Sequence, residues 1–244
     1  MKQNDINLDL LSFVSRQDSE SEASLRNFAV QEAYFEHLQQ KKESKVVGLR
    51  KLREGLLSSD RRDSFAIEVY EWSVRECLEE KNFAELFKSL SHLVEHLYIL
   101  ETTNDKQLQI VGLHLLFLIC STDGLANTHK FKQIVSRVSH SQNTAIQFAE
   151  HVLAAFIADL DFLSLSRCWE TANIQQRLIL EMVLPQTRVT TLAIIKGAYY
   201  TFPANDLARL LCLDSCDALS DYLSVELQSA AIIEPTVRLR QAKK

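Results

Sequence analysis

The hydrophobic pattern of this chain is helical over most of its length and changes character near residue 185. From about Leu25, apolar side chains recur three and four positions apart, the spacing of helices with one buried face. In residues 27–40, Phe28, Tyr34, Phe35 and Leu38 share a face, and Val46, Val47, Leu49, Leu52 and Leu56 mark the next helix. Residues 65–80 set Ile67, Tyr70, Val74, Cys77 and Leu78 on one side before Lys81-Asn82 breaks the pattern. Asn82 suits the left-handed position that closes a helix. Residues 83–100 predict one further helix, with Phe83, Leu86, Phe87, Leu90, Leu93, Val94 and Leu97 inward. Residues 108–120 are apolar on nearly every side, which predicts a central buried helix. Thr122-Asp123-Gly124 ends it, and residues 130–138, 144–158 and 162–171 continue the series. Residues 1–25 are rich in polar side chains and predict a loose arm with a short helix at 8–14.

All three prolines lie beyond this series, at Pro185, Pro203 and Pro235. After Pro185, residues 186–200 read as a helix with Val189, Leu192, Ile195, Ala198 and Tyr199 inward. Pro203 opens a second helix at 204–211, because a first-turn proline gives up only an N–H that has no helical partner. Asp214-Ser215 offers the cap of a third helix, 215–228, carrying Leu219, Tyr222, Leu223 and Leu227. Two short strands, 230–233 and 237–239, flank Glu234-Pro235-Thr236. Three helices and a small hairpin follow one another in the order of a winged helix. The expected fold is therefore mainly α: TPR-like right-handed helical repeats followed by a C-terminal winged helix. Its divisions are a loose arm at 1–25, a helical-repeat domain at 26–184 and a winged-helix domain at 185–240.

Composition supports this picture. Five glycines and three prolines in 244 residues fall far below the roughly 12% of average usage, which leaves little material for tight hairpins. No apolar run approaches the roughly 18 residues of a membrane span. The N-terminus has no signal-peptide pattern, so a cytosolic or nuclear protein is expected, with no membrane contact. Five cysteines at wide intervals read as buried free thiols. Cys212 and Cys216 lack a third ligand at metal spacing, and so do His92 and His96. The glycines are isolated, so no phosphate-binding loop is present at the motif level. The sequence predicts no enzyme and no catalytic, cofactor or metal residues.

The net charge of −5 is unevenly spread. Residues 41–62 hold eight basic side chains against three acidic ones. That window reads either as a polyanion contact or as a solvated helix face. The third helix of the C-terminal block is the reverse: Asp217, Asp221 and Glu226 with no lysine or arginine. A DNA reader needs basic residues on that helix. Candidate nucleic-acid contacts therefore lie elsewhere, at Arg209, Arg238, Arg240, Lys243 and Lys244. The alternative for the last of these is a solvated terminus. Ala230, Ala231, Ile232 and Ile233 form an apolar strand edge, a candidate partner interface together with Tyr222. The alternative is that this edge packs on its own third helix.

Two groups of residues carry a family resemblance. The first is Val69-Tyr70-Glu71, Arg75, Leu78-Glu79, Asn82, Glu85, Leu93 and Leu97-Tyr98. The second is Pro185, Arg188, Leu192, Lys196-Gly197-Ala198-Tyr199, Phe202-Pro203, Leu207, Leu210-Leu211, Leu213-Asp214, Ala218 and Tyr222-Leu223. With these the chain resembles the PCI-type proteins, and among them the SAC3/GANP family of mRNA-export and transcription-coupled scaffolds, over roughly residues 45–235. It departs from that family at Asp161-Phe162-Leu163-Ser164-Leu165-Ser166, where a Gly-Asn-Tyr turn and a basic, Phe-Phe helix are usual. Residues 112–118 look instead like the proteasome-lid relatives. The resemblance implies a non-catalytic scaffold that pairs with another PCI-domain protein and often with a small acidic Dss/Sem-type protein. A weak, sequence-independent contact with RNA or DNA fits beside it. The alternatives are a proteasome-lid-type subunit, a centrosome or spindle relative of the export scaffolds, or a winged-helix DNA-binding regulator.

Overall fold

The computed structural model describes Leu8, Leu11, Phe13, Val14 and residues 24–121, 126–138, 143–157, 161–226, 231–233 and 236–239. At Glu101 and Ala231–Ile233 it describes the backbone alone. The described residues are mainly helical, with twelve α-helices and three short strands. No single described helix is long and apolar enough to cross a membrane. The chain divides into two compact units, Met1–Ile110 and Val111–Lys244. Of the short helix expected at 8–14, Leu8, Leu11, Phe13 and Val14 are described, and the last three are not helical.

The first unit contains α1 (Phe28–Gln40), α2 (Val46–Ser58), α3 (Ser64–Glu79) and α4 (Phe83–His92). Each start except that of α2 has a side-chain cap. Asn27 Oδ1 accepts the Ala29 N–H, Asp63 the Ala66 N–H and Asn82 the Glu85 N–H. Such caps contribute about 1 kcal/mol each. The interior is built from Val30, Tyr34 and Leu38 on α1, Leu49, Leu52 and Leu56 on α2, and Val69, Tyr70 and Cys77 on α3. Gly55 permits close packing: a Cβ there would lie 2.6 Å from the Leu25 carbonyl oxygen.

With glycine scarce, other residues take the left-handed positions that end helices. Asp60, Lys81 and Cys212 have φ of 50°, 52° and 52°. Beyond each, an N–H reaches back five residues: Arg61 to Leu56, Asn82 to Cys77, and Leu213 to Ala208, at 3.0, 2.8 and 2.9 Å. This bond satisfies a carbonyl of the last turn. The sequence reading placed the left-handed residue one position late. Lys81 closes α3, which frees Asn82 to cap α4.

The helix expected over 83–100 also stops early. After His92 it widens into a π-turn at Leu93–Leu97, closed by the Tyr98 N–H on the Leu93 carbonyl at 2.8 Å. Tyr98 leaves helical geometry so that its buried hydroxyl donates to Glu71 Oε1 at 2.9 Å. Phe87, expected inward, is exposed, as are Phe28 and Val47.

Helix α5 (Asp105–Cys120) runs across the division between the units. Within the second unit its residues Val111 to Cys120 are all buried, as their apolar run predicts. Gly112 lies against Ala145, where a Cβ would come 2.6 Å from the alanine Cβ. The unit continues with α6 (Thr128–Val138), α7 (Thr144–Ile157), α8 (Phe162–Thr171) and α9 (Ile174–Leu180). Helix α9 was not foreseen, although its capping box is visible in sequence. Asn173 accepts the Gln176 N–H, and the Gln176 side chain accepts the Asn173 N–H.

The C-terminal module is α10 (Leu184–Ala198), β1 (Thr201–Pro203), α11 (Ala204–Leu210), α12 (Cys216–Glu226), β2 (Ala231–Ile233) and β3 (Thr236–Arg238). The strands form an antiparallel sheet in the order β1-β3-β2, with Val237 opposite both Phe202 and Ile232. Leu192, Ile195, Leu207, Leu211, Leu219, Leu223, Val237 and Leu239 make its core. Three expectations are corrected here. β1 was not anticipated, and Pro203 ends this strand as well as preceding α11. Val189, Ala198 and Tyr199 are exposed rather than inward. The face that α10 buries is set by Leu184, Thr187, Thr191, Leu192 and Ile195, and Tyr199 lies beyond the helix end with its ring edge-on to Phe202.

Candidate functional site

Two of the four arginines in the basic window, Arg53 and Arg61, turn inward, while Arg50 and Arg62 stay exposed. Arg53 is buried, donating to Glu85 Oε2 at 2.5 Å and to Ser89 Oγ at 2.7 Å. Arg61 is buried between the rings of Phe28 and Phe65 and pairs with Glu32 at 2.7 Å and Asp63 at 2.9 Å. Lys45 pairs with Glu76, Arg50 with Glu54, and Arg62 with Asp60; Lys51 Nζ donates to the Leu11 carbonyl. The two arginines that dominate the window are thus internal struts, so neither earlier reading describes them. Burial raises the Glu85 carboxyl, but hydrogen bonds from Lys88 and Arg53 outweigh it and hold the group below its ordinary value.

His92 and His96 do share a face, with ring centroids 5.1 Å apart. His92 stacks on Tyr70 at 4.6 Å. Burial, followed by the nearby His96, Arg62 and Arg53, pushes the His92 imidazole down to about 4. It is therefore neutral at pH 7. Among the described residues no group of three or more His, Cys, Asp or Glu is arranged to hold a metal. Cys77, Cys120, Cys168 and Cys212 are buried thiols, while Cys216 is exposed and donates to Asn205 Oδ1. Burial raises the Cys212 thiol to about 12.

The candidate interaction surface lies on the C-terminal module. Helix α12 is capped by Ser215, whose Oγ accepts the Ala218 N–H at 3.1 Å. Buried Leu219 and Leu223 fix its inner face. That leaves Asp217, Asp221 and Glu226 exposed on the outside. Tyr222 is half-buried against the module core, and its hydroxyl is buried without a hydrogen-bond partner. Burial raises the Tyr222 phenol above its ordinary value.

In the sheet, β3 is central and β2 is an edge. Among the described residues no strand pairs with the outer side of β2. The opposite edge, β1, ends at Pro203, which has no N–H to offer. Arg238 is exposed on β3. Arg209 is not held beside it: the guanidinium is engaged by Glu170 of α8 at 2.5 and 3.4 Å. Ala230, Arg240, Lys243 and Lys244 lie outside the described residues. The proposed contacts thus separate into an exposed arginine on the sheet and a neutralised one on α11.

Sequence reasoning missed the contacts that orient this surface. Arg177 of α9 stacks on Trp169 at 4.9 Å and pairs with Asp214 at 3.2 Å, so it joins the module to α8 and α9. Arg188 of α10 donates from Nε to the Leu211 carbonyl at 2.8 Å and from Nη2 to the Cys212 carbonyl at 2.9 Å. It satisfies acceptors at the end of α11 that the helix leaves open. No local signal marks either role, because the partners are 37, 23 and 24 residues away. Set against known proteins, the chain matches no family model and no curated protein.

Proposed function

We propose that this chain is a non-catalytic PCI-type scaffold subunit of a nuclear complex coupling transcription to mRNA processing or export, where it pairs with another PCI-domain protein. In this reading the C-terminal module is a winged helix and the helices before it are TPR-like repeats. Support comes from the order helix, strand, helix, helix, hairpin, with the last strand between the other two. That is the order winged helices have.

The motif residues add a physical reason for their spacing. Glu71 and Tyr98, near the two ends of the first motif, meet in a buried hydrogen bond. In the second, Arg188 grips the carbonyl of Leu211. A sequence under selection for this packing would keep those pairs at those distances.

The observation that carries the functional reading is the pairing of an open β2 edge with an acidic α12. An open edge suits strand addition by a protein. A helix bearing three exposed carboxylates repels a polyanion. Protein docking is thus favoured over base reading. Arg238, with Arg240, Lys243 and Lys244 in the sequence beyond it, is left for a weak, salt-sensitive contact with RNA. A small acidic Dss/Sem-type companion fits the same reading.

Affinity purification of the tagged full-length chain tests it. Another PCI-domain protein with mRNA-processing or export factors is the expected yield. Recovery of proteasome-lid subunits would move the chain to that complex instead. Sequence-selective binding to duplex DNA, unaffected by charge reversal on α12, would favour a regulator.

A further inference from the structure

The first unit has a pocket that the scaffold reading leaves unused. It opens between α2, α3 and α4 and has a volume of about 340 Å3. Small-molecule sites occupy roughly 300–1,000 Å3. One side is apolar, made by Leu57, Tyr70 and Phe87. Leu57 and Phe87 are among the large hydrophobic side chains that the fold leaves exposed.

The polar side also carries the imidazoles of His92 and His96. Its two carboxylates are already engaged. Glu54 accepts from Arg50 Nε at 3.1 Å, and Glu85 accepts from Arg53 at 2.5 Å and from Lys88 Nζ at 2.7 Å. The donors are not exhausted. The Arg53 Nε–H and the Ser91 hydroxyl are buried without partners, and both residues line the pocket. A guanidinium has no acceptor capacity, so its unpartnered N–H calls for an oxygen with lone pairs. Arg50, Arg53 and Lys88 also outnumber Glu54 and Glu85 on the lining.

We infer that this pocket binds a small organic anion: a carboxylate or phosphate carried on a flat apolar body. The oxyanion takes hydrogen bonds from Ser91, Lys88 and Arg50, and the apolar body lies against Phe87 and Leu57. This site stands apart from the scaffold reading, and either can fail alone.

Titration of the full-length protein with phenyl phosphate, benzoate and inorganic phosphate, followed by calorimetry and backbone amide NMR, tests the inference. Phenyl phosphate or benzoate is expected to saturate with a Kd below about 1 mM, at least about five-fold tighter than inorganic phosphate. The stronger of the two identifies the oxyanion. Shifts should concentrate on α2, α3 and α4. Ser91→Ala and Arg50→Gln, neither of which removes a buried charge, should each weaken binding at least about three-fold while leaving the unfolding midpoint unchanged. The inference is overturned if neither organic probe saturates below about 10 mM. It is equally overturned if both variants bind as the parent does.

Discussion

The chain uses arginine differently in its two units. In the first, Arg53 and Arg61 are buried and hold α2 to α4 and α1 to the start of α3. In the second, Arg177 and Arg209 stay in contact with solvent while they tie the C-terminal module to α9 and α8. The bond lengths are similar, but the consequences are not. A charge stranded in the interior costs several kcal/mol, whereas an exposed pair is screened and contributes little. Both units have apolar cores, but only the first strands a buried charge when a carboxylate is lost; in the second the ion pairs fix orientation.

The sharpest way to break this contrast is to remove one carboxylate from each unit. Glu85→Ala should cost about 3–5 kcal/mol, read as a fall in the urea midpoint, because Arg53 loses its counter-charge while remaining buried. Glu170→Ala, which releases exposed Arg209, should leave that midpoint within error. Equal losses in both variants would abolish the distinction.

Acid should act on the same unit. The folded His92 value of about 4 lies below the ordinary imidazole value of about 6.5. Its contribution is therefore present above pH 6.5 and is lost as pH falls toward 4, because the unfolded chain binds the proton more readily. Glu85, also lowered, adds a loss at the acidic end of this range. Thermal melts from pH 7 to pH 4 should fall more steeply for the parent than for His92→Gln. Parallel curves would show that the imidazole contributes nothing.

Within the second unit, Arg188→Met should cost about 1–3 kcal/mol, since two carbonyls at the end of α11 lose their donors. Urea unfolding followed by the near-ultraviolet signal checks this, and an unchanged midpoint would show that water replaces the guanidinium. The smallest effect is expected at Lys81. Lys81→Gly relieves a left-handed conformation and should raise stability by about 0.5–1 kcal/mol. A loss there would mean that the lysine side chain outweighs the strain in its backbone.

What the sequence made legible was what neighbours decide. Helix α8 has the bounds its pattern predicts, Phe162–Thr171, because Asp161 caps it locally through the Leu163 and Ser164 N–H groups. Buried α5 was readable for the same reason, as an apolar run needs no distant partner to declare itself. The inward turn of Arg53 and Arg61 was not readable. Their partners Glu85 and Glu32 are 32 and 29 residues away, and a charge count assigns such residues to the surface. Strand β1 was hidden for a related reason. Tyr199-Tyr200-Thr201-Phe202 continues a helical pattern, and its last two residues become a strand only by pairing with Arg238 and Val237. Of the candidate site, the acidic face of α12 was visible at once. The engagement of Arg209 by Glu170 was not.

The position of β3 has a consequence for biosynthesis. It is the last described strand in the chain, yet it lies in the middle of the sheet, with β1 on one side and β2 on the other. Domains form in the order they leave the ribosome. The helices up to α9 can pack while translation continues, but β1 and β2 cannot be joined until residues 236–239 have emerged. The β2 edge is therefore completed only after β3 has emerged, and a nascent chain cannot offer it to a strand partner before residues 236–238 have been made.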